Sequence, residues 1–227
     1  MKNAIICSES PVTLVGGGEV GDGDLEQALR LAPLLVAADG GASHALAAGL
    51  DLSAVIGDFD SLSPKHAAKI PADRLFPIRE QDTTDFDKAL RHISAPLILA
   101  VGFLGARVDH QLAAFNVLAK HPERPCVLIG SQELVFHVPP VFELNLTPGD
   151  IVSLFPMTTI SGRSGGLEWP IDGLALSPTG RTGTSNRATG PVRLWMDGPG
   201  LLAIVPRTAL RPVMQAFQTV PNAPGAP

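Results

Sequence analysis

The chain has 227 residues, 45% of them hydrophobic, and a mean hydropathy of +0.22, enough apolar material to bury a full core as one large domain or two small ones. A net charge of −5 and a pI near 5.6 argue against nucleic acid or an anionic membrane as the main partner.

Short continuous apolar runs alternate with segments of helical period, the pattern of βαβ units whose strands are covered on both faces. In chain order the expected elements are strand Val12–Val15, helix Leu25–Leu31, strand Leu34–Ala38, helix Ala42–Ala48, strands Ala54–Ile56 and Leu75–Ile78, and helix Thr84–His92. Strand Leu97–Val101, helix Gln111–Lys120 and strand Cys126–Ile129 complete the series. They predict an α/β domain over residues 1–138 with a mostly parallel open sheet, right-handed crossovers, and ligands bound beyond the carboxyl ends of the strands.

The character changes near Pro139-Pro140. The runs Val141–Leu146, Ile151–Phe155, Val192–Met196 and Leu201–Val205 are short, β-rich and separated by Gly, Pro, Ser and Thr, with no convincing helix, so residues 139–218 are expected to form an antiparallel all-β domain. Residues 219–227 read as a disordered tail. Charge divides the same way: residues 1–150 carry 11 Lys+Arg against 19 Asp+Glu, and 151–227 carry six Arg against three acids.

Cys7 and Cys126 lie far apart in apolar surroundings and read as buried free thiols rather than a disulfide or a metal pair. The apolar run Ala4–Cys7 is too short for a signal-peptide core, and no apolar stretch approaches the ~18 residues of a membrane span. A cytoplasmic protein is expected.

Six aspartates fall in four blocks, Asp39-Gly40-Gly41, Gly57-Asp58-Phe59-Asp60-Ser61, Gln81-Asp82-Thr83-Thr84-Asp85 and Arg107-Val108-Asp109, each beyond an expected strand. If those strands are parallel neighbours, the carboxylates meet at one sheet edge, where they repel unless a cation joins them. That points to Mg²⁺-dependent phosphate transfer. Asp58 and Asp60, two residues apart, can project to one side with Phe59 turned into the core. Each block also has a plainer reading. Asp60-Ser61 can start a turn before Pro64, Asp82 can be a helix N-cap with Asp85 closing a capping box, and Lys88, three residues beyond Asp85, can form an exposed ion pair.

Gly16-Gly17-Gly18-Glu19-Val20-Gly21 matches G-x-G-x-x-G, with Asp39 near the ribose-binding position of a dinucleotide fold. Asp22-Gly23-Asp24 follows at once, however, setting carboxylates where bare N–H groups should meet a pyrophosphate. A glycine turn for close backbone approach is the better reading. Gly162-Arg163-Ser164-Gly165-Gly166 fits a nucleophile elbow but lies in the β half with no helix after it. The histidines lack zinc spacing, and no P-loop is present.

In order, Asp39-Gly40-Gly41-Ala42, Gly57-Asp58-Phe59-Asp60-Ser61-Leu62, Gln81-Asp82-Thr83-Thr84-Asp85-Phe86-Asp87-Lys88, Gly105-Ala106-Arg107-Val108-Asp109-His110, the Gly-Leu-Glu-Trp-Pro segment ending at Pro170, and Thr184-Ser185-Asn186 resemble the thiamine pyrophosphokinase family. Ser43 and Ala106 depart from it, where the family often has Asn and Gly. The resemblance implies a C-terminal β-sandwich, ATP as co-substrate with Mg²⁺, transfer of a diphosphate to the hydroxyl of thiamine, and a homodimer with its site at the subunit interface. It implies Asp58, Asp60 and Asp85 as metal ligands and Lys88 as a charge-stabilising catalytic group. Asp39, Gln81, Asp82, Thr84, Arg107 and Asp109 would contact nucleotide, and Trp169, Ser185 and Asn186 would contact thiamine. From the carboxylate edge alone, a pyrophosphokinase for another alcohol, such as a hydroxymethylpterin, and a non-catalytic nucleotide sensor stay open.

Overall fold

In the computed structural model, which describes residues 4–219, the chain divides into two units that part between Ser131 and Gln132. The first unit contains, in chain order, β1 (Ile6–Cys7), β2 (Val12–Val15), α1 (Asp24–Leu31), β3 (Leu34–Ala38), α2 (Ala42–Ala47), β4 (Ala54–Gly57), α3 (Pro64–Ala67) and β5 (Leu75–Pro77). It continues with α4 (Asp85–His92), β6 (Ile93–Ser94), β7 (Ile98–Val101), α5 (Val108–Lys120) and β8 (Cys126–Ile129). Six of the strands form one parallel sheet in the order β8-β7-β2-β3-β4-β5, and β1 pairs with β6 in a small parallel ribbon.

The apolar runs are continuous because this sheet is covered on both faces: all four residues of β2 are fully buried, Thr13 included, whose Oγ1 donates to Ala32 O at 2.6 Å. Truncating a buried leucine such as Leu14 to alanine costs ~2–5 kcal/mol in a core of this kind. From β2 the chain proceeds outward through β3, β4 and β5, then returns to the other side of β2 as β7 and β8. The order therefore reverses between β2 and β7, and their carboxyl ends mark the switch point at which open parallel sheets bind ligands.

Two local expectations change. Thr84, not Asp82, caps α4, its Oγ1 accepting Asp87 N–H at 3.2 Å, because Thr84 is the residue directly before the first helical turn. Phe59 is not turned into the core: it adopts φ 66° and is only partly buried, in a turn beyond the end of β4. Both thiols are free, but only Cys126 is buried as expected; Cys7, expected to be buried, is exposed on the two-residue strand β1. Among the described residues no helix is long and apolar enough to cross a membrane.

The second unit comprises β9 (Glu133–His137), β10 (Val141–Leu144), β11 (Ile151–Pro156), β12 (Ile160–Leu167), β13 (Ala175–Leu176), β14 (Gly183–Met196), β15 (Leu201–Pro206) and α6 (Leu210–Thr219). Its strands pair antiparallel in the order β13-β12-β14-β11-β15-β9, with β10 also on β14. The division precedes Pro139-Pro140 because β9 belongs here, with Leu202 opposite His137 on β15.

The expectation of no helix in this half is corrected by α6. Pro212 sits in its first turn, where a missing N–H is harmless, and Leu210, Val213 and Met214 are buried from it. Phe217 on the same helix meets Phe136 and Phe142 with ring centroids 5.6 and 5.1 Å away. Of the expected tail, Thr219 ends α6 and residues 220–227 lie outside the described residues.

Candidate active site

A cavity of ≈ 570 Å³, the size of a small-molecule site, opens at the switch point of the first unit. Its walls come from the loop Gly16–Gly18 after β2, from Gly102, Phe103 and Ala106 after β7, from Ser43 and His44 on α2, and from Thr84 and Asp85 at the start of α4. The two loops are stitched together: Gly16 N–H donates to Val101 O at 2.8 Å and Gly18 N–H to Gly102 O at 3.0 Å. His44 Nε2 lies 2.9 Å from Gly18 O and ties the same loop to α2. The glycine loop thus spends N–H groups on its neighbour strand. Helix α1 begins only after Gly23, with Asp24 and Glu26 in its first turn and Asp24 Oδ2 accepting Gly21 N–H at 2.9 Å, so carboxylates stand at the helix start where a dinucleotide fold would set a pyrophosphate.

Beside the cavity, Asp39, Asp58 and Asp60 offer carboxylate oxygens that all lie within 4.8 Å of one another. The sheet arranges this. Ala38 is in register with Ile56, so Asp39 just past β3 and Asp58 just past β4 leave the same edge. Gly57 permits the approach, since a Cβ there would sit 2.7 Å from Asp39 Cβ and 3.2 Å from Asp85 Oδ1. Asp39 and Phe59 both have positive φ (39° and 66°), as does Ala106 (53°) on the cavity wall. Such backbone persists only where surrounding contacts over-determine it, and it clusters at working sites.

The electrostatics divide the carboxylates. Lys88, its side chain 2% exposed, donates from Nζ to Asp58 Oδ2 at 2.6 Å and to Asp85 Oδ1 at 3.1 Å. The Lys88 hydrogen bond holds Asp58 below the ordinary carboxylate range. Burial pulls Lys88 down, but the hydrogen bonds and charges of Asp58 and Asp85 outweigh it and keep the ammonium above its usual value. Asp39 has no such partner. Its Oδ2 accepts Ser61 N–H at 3.1 Å, while its buried Oδ1 has no hydrogen-bond partner. Burial, then the charge of Asp85 and the adjacent Asp60 carboxyl, push its carboxyl up to about 6 against the Ser61 N–H. An orphaned carboxylate oxygen among converging oxygens is a site shaped for a hard cation.

The expected residues distribute as follows. Asp58 and Asp60 come together, with Asp39 as the third member. Asp85 lines the cavity and joins the cluster through Lys88, an ion pair buried at its lysine end and partly open at Asp85. Thr84 and Arg107 line the cavity. Arg107 pairs with Asp109 on the exposed rim, Nη2 to Oδ2 at 2.6 Å, which presses Asp109 down to about 2. Gln81 and Asp82 are exposed before α4. In the second unit, Trp169 is 54% exposed, so it is no core residue, whereas Asn186 is 4% exposed, and Ser185 takes φ 60°. Sequence reasoning missed His44, Ser61 and Phe103. Their only signal was position just beyond a strand end or at the start of the following helix.

Residues 25–128 match the family described as thiamin pyrophosphokinase, catalytic domain. Thiamine pyrophosphokinase 3 of Oryza sativa subsp. japonica is 29% identical over 149 residues, 57% of this chain and 56% of that protein. Thiamine pyrophosphokinase 1 of Arabidopsis thaliana is 32% identical over 123 residues, 47% and 46% of the two chains. The chain thus spans about half the length of these curated relatives. Among solved structures, the thiamin pyrophosphokinase from Candida albicans superposes with a TM-score of 0.72 at 17% identity, over 87% of this chain and 89% of that one. The thiamin pyrophosphokinase from Geobacillus thermodenitrificans gives 0.70 at 24%, over 86% and 96%. At those identities the likeness is one of fold. The segment 25–128, which matches that catalytic domain, carries Asp39, Asp58, Asp60, Asp85 and Lys88.

Proposed function

We propose that the protein is a thiamine pyrophosphokinase, an ATP-dependent diphosphotransferase that moves the diphosphate of ATP to the hydroxyl of thiamine and releases thiamine diphosphate and AMP. The observation that carries this is the carboxylate cluster with the orphaned Asp39 Oδ1 beside a cavity at the switch point. The donor set is all oxygen, which fits Mg²⁺. A Mg²⁺ ion held by these carboxylates would supply positive charge to offset that of the phosphates during transfer.

Asp39, Asp58 and Asp60 would hold the cation, with Asp85 a further ligand from the cavity wall. Lys88 keeps Asp58 and Asp85 aimed, and with two of its three protons committed and almost no exposure it serves the carboxylates before the transferred group. Thr84 and Arg107 on the wall and Gln81, Asp82 and Asp109 near it would orient the nucleotide. In the second unit Trp169 and Ser185 would meet thiamine, an aromatic cation suited to an exposed indole face. The reading includes a β-sandwich second domain and a homodimer with the site at the subunit interface, both implied by the resemblance, and the cytoplasmic setting expected from the sequence.

The purified chain, incubated with ATP, Mg²⁺ and thiamine, should form AMP and thiamine diphosphate in equal amounts. Absence of both products sinks the reading.

A further inference from the structure

Gly166 bends β12 just before Trp169. It takes φ 75°, the register against β14 shifts between Gly165 and Leu167, and a Cβ at Gly166 would fall 2.1 Å from Pro191 O. Past this bulge, Leu167 lies opposite Ala188, and Glu168 N–H donates to Arg187 O at 2.9 Å. The bend carries Trp169 alongside Asn186 on β14.

The Asn186 amide then clamps the Trp169 backbone from both sides. Asn186 Oδ1 accepts Trp169 N–H at 3.1 Å, and Asn186 Nδ2 donates to Trp169 O at 2.7 Å. The same Oδ1 also accepts Arg187 N–H at 2.8 Å. Two N–H groups converging on one atom fix it as the oxygen. A primary amide has two acceptor lone pairs and two donor hydrogens. Three of these are used inside the protein, on a residue that is 4% exposed. The indole it holds is 54% exposed.

We infer that Asn186 is a positioning residue that acts on the aromatic ligand only through Trp169, and is not itself a ligand contact. The inference rests on the proposed stacking of thiamine on Trp169. The backbone clamp sets where the indole face stands, so a ligand docking on that face meets a preorganised surface rather than a freely moving loop.

The test is a double-mutant cycle in the full chain carrying Trp195→Phe, which leaves Trp169 as the single tryptophan. Losing the two clamp bonds in Asn186→Ala should raise KM for thiamine by roughly tenfold. The KM for ATP and kcat should change less than twofold, and Trp169 emission should shift without any ligand. In a Trp169→Ala background, adding Asn186→Ala should change KM for thiamine by less than about twofold, since the two residues act as one. If the two losses multiply, Asn186 touches the ligand itself and the inference is overturned. If Trp169→Ala alone leaves KM for thiamine unchanged, the stacking reading falls and takes the inference with it. Asn186→Asp, which keeps the acceptor and loses the donor, runs the same cycle with the same criteria should the alanine variant fail to fold.

Discussion

Asp39 offers the sharpest test of the cation reading, because its carboxylate is a burden to the metal-free fold. Its carboxyl is pushed up to about 6 by burial and by the charges of Asp85 and Asp60, against 3.8 in an exposed chain. A carboxyl raised on folding stabilises the native state fully below the unfolded value, and that contribution is lost as pH rises through about 6. A shift of this size corresponds to a loss on the order of 2–3 kcal/mol by pH 8. Asp39→Asn keeps the shape and removes the charge. In chelator, the variant should match the wild type only below about pH 4 and melt ~5–10 °C higher at pH 8 in the transition of the first unit. Far-UV circular dichroism follows both units, while fluorescence follows the second, where both tryptophans lie. The difference between variant and wild type cancels the histidines that titrate over the same range. Millimolar Mg²⁺ should then raise the wild type at pH 8 and leave Asp39→Asn unmoved, since a ligand stabilises only the state that binds it. Parallel pH profiles in chelator, or an equal Mg²⁺ response in both proteins, would refute the reasoning.

The neighbouring acids should behave in the opposite way. Asp58→Asn leaves Lys88 buried with Asp85 alone, so it should lower metal-free stability by ~1–3 kcal/mol in denaturant titration while abolishing product formation; unchanged stability would mean the Lys88 pair is idle. Lys88→Met, which strands both carboxylates, should cost ~2–4 kcal/mol and reduce kcat by two orders or more; near-normal kcat would remove Lys88 from the site. Gly57→Ala forces a Cβ to within 2.7 Å of Asp39 Cβ and should cost ~1–3 kcal/mol with a loss of Mg²⁺ response, read by the same melts. Asp87, buried and bonded to Lys120 and His121, is desolvated, but those partners outweigh the burial and hold it below the ordinary range. Its stabilisation is therefore present above about pH 4 and lost below it, so Asp87→Asn should flatten the acid limb of the stability curve without changing Mg²⁺ affinity.

What the sequence could reveal depended on how far the controlling contacts lie along the chain. Strands β2, β3 and β8 begin and end where their apolar runs do, because a strand covered on both faces has no polar position to blur its limits. By contrast, β14 runs through Gly183 to Met196 across Gly190 and Pro191, which read locally as a turn. It is held as one strand by partners that change along its length, β11 opposite its first half and β10 and β12 opposite its second. Asn186 shows the same limit: beside Ser185 it reads as a ligand-facing polar pair, and only the bulge at Gly166 explains why its amide faces Trp169.

The carboxylate cluster lies between these cases. That the aspartates share a sheet edge follows from strand order, which local patterning makes legible. Which of them converge does not, because that depends on turns a few ångströms across. Phe59, forced to φ 66°, curls the turn so that Asp60 N–H reaches Asp58 Oδ1 at 3.3 Å and Ser61 N–H reaches Asp39. The bare Gly57 lets Asp39 sink beneath them, to 1% exposure. Asp85, one helical turn before Lys88, has its Oδ1 taken by that ammonium. Asp39 therefore stands as the third member of the converging set, and the carboxylate left most in need of a cation is the one the local sequence made look most like a ribose contact.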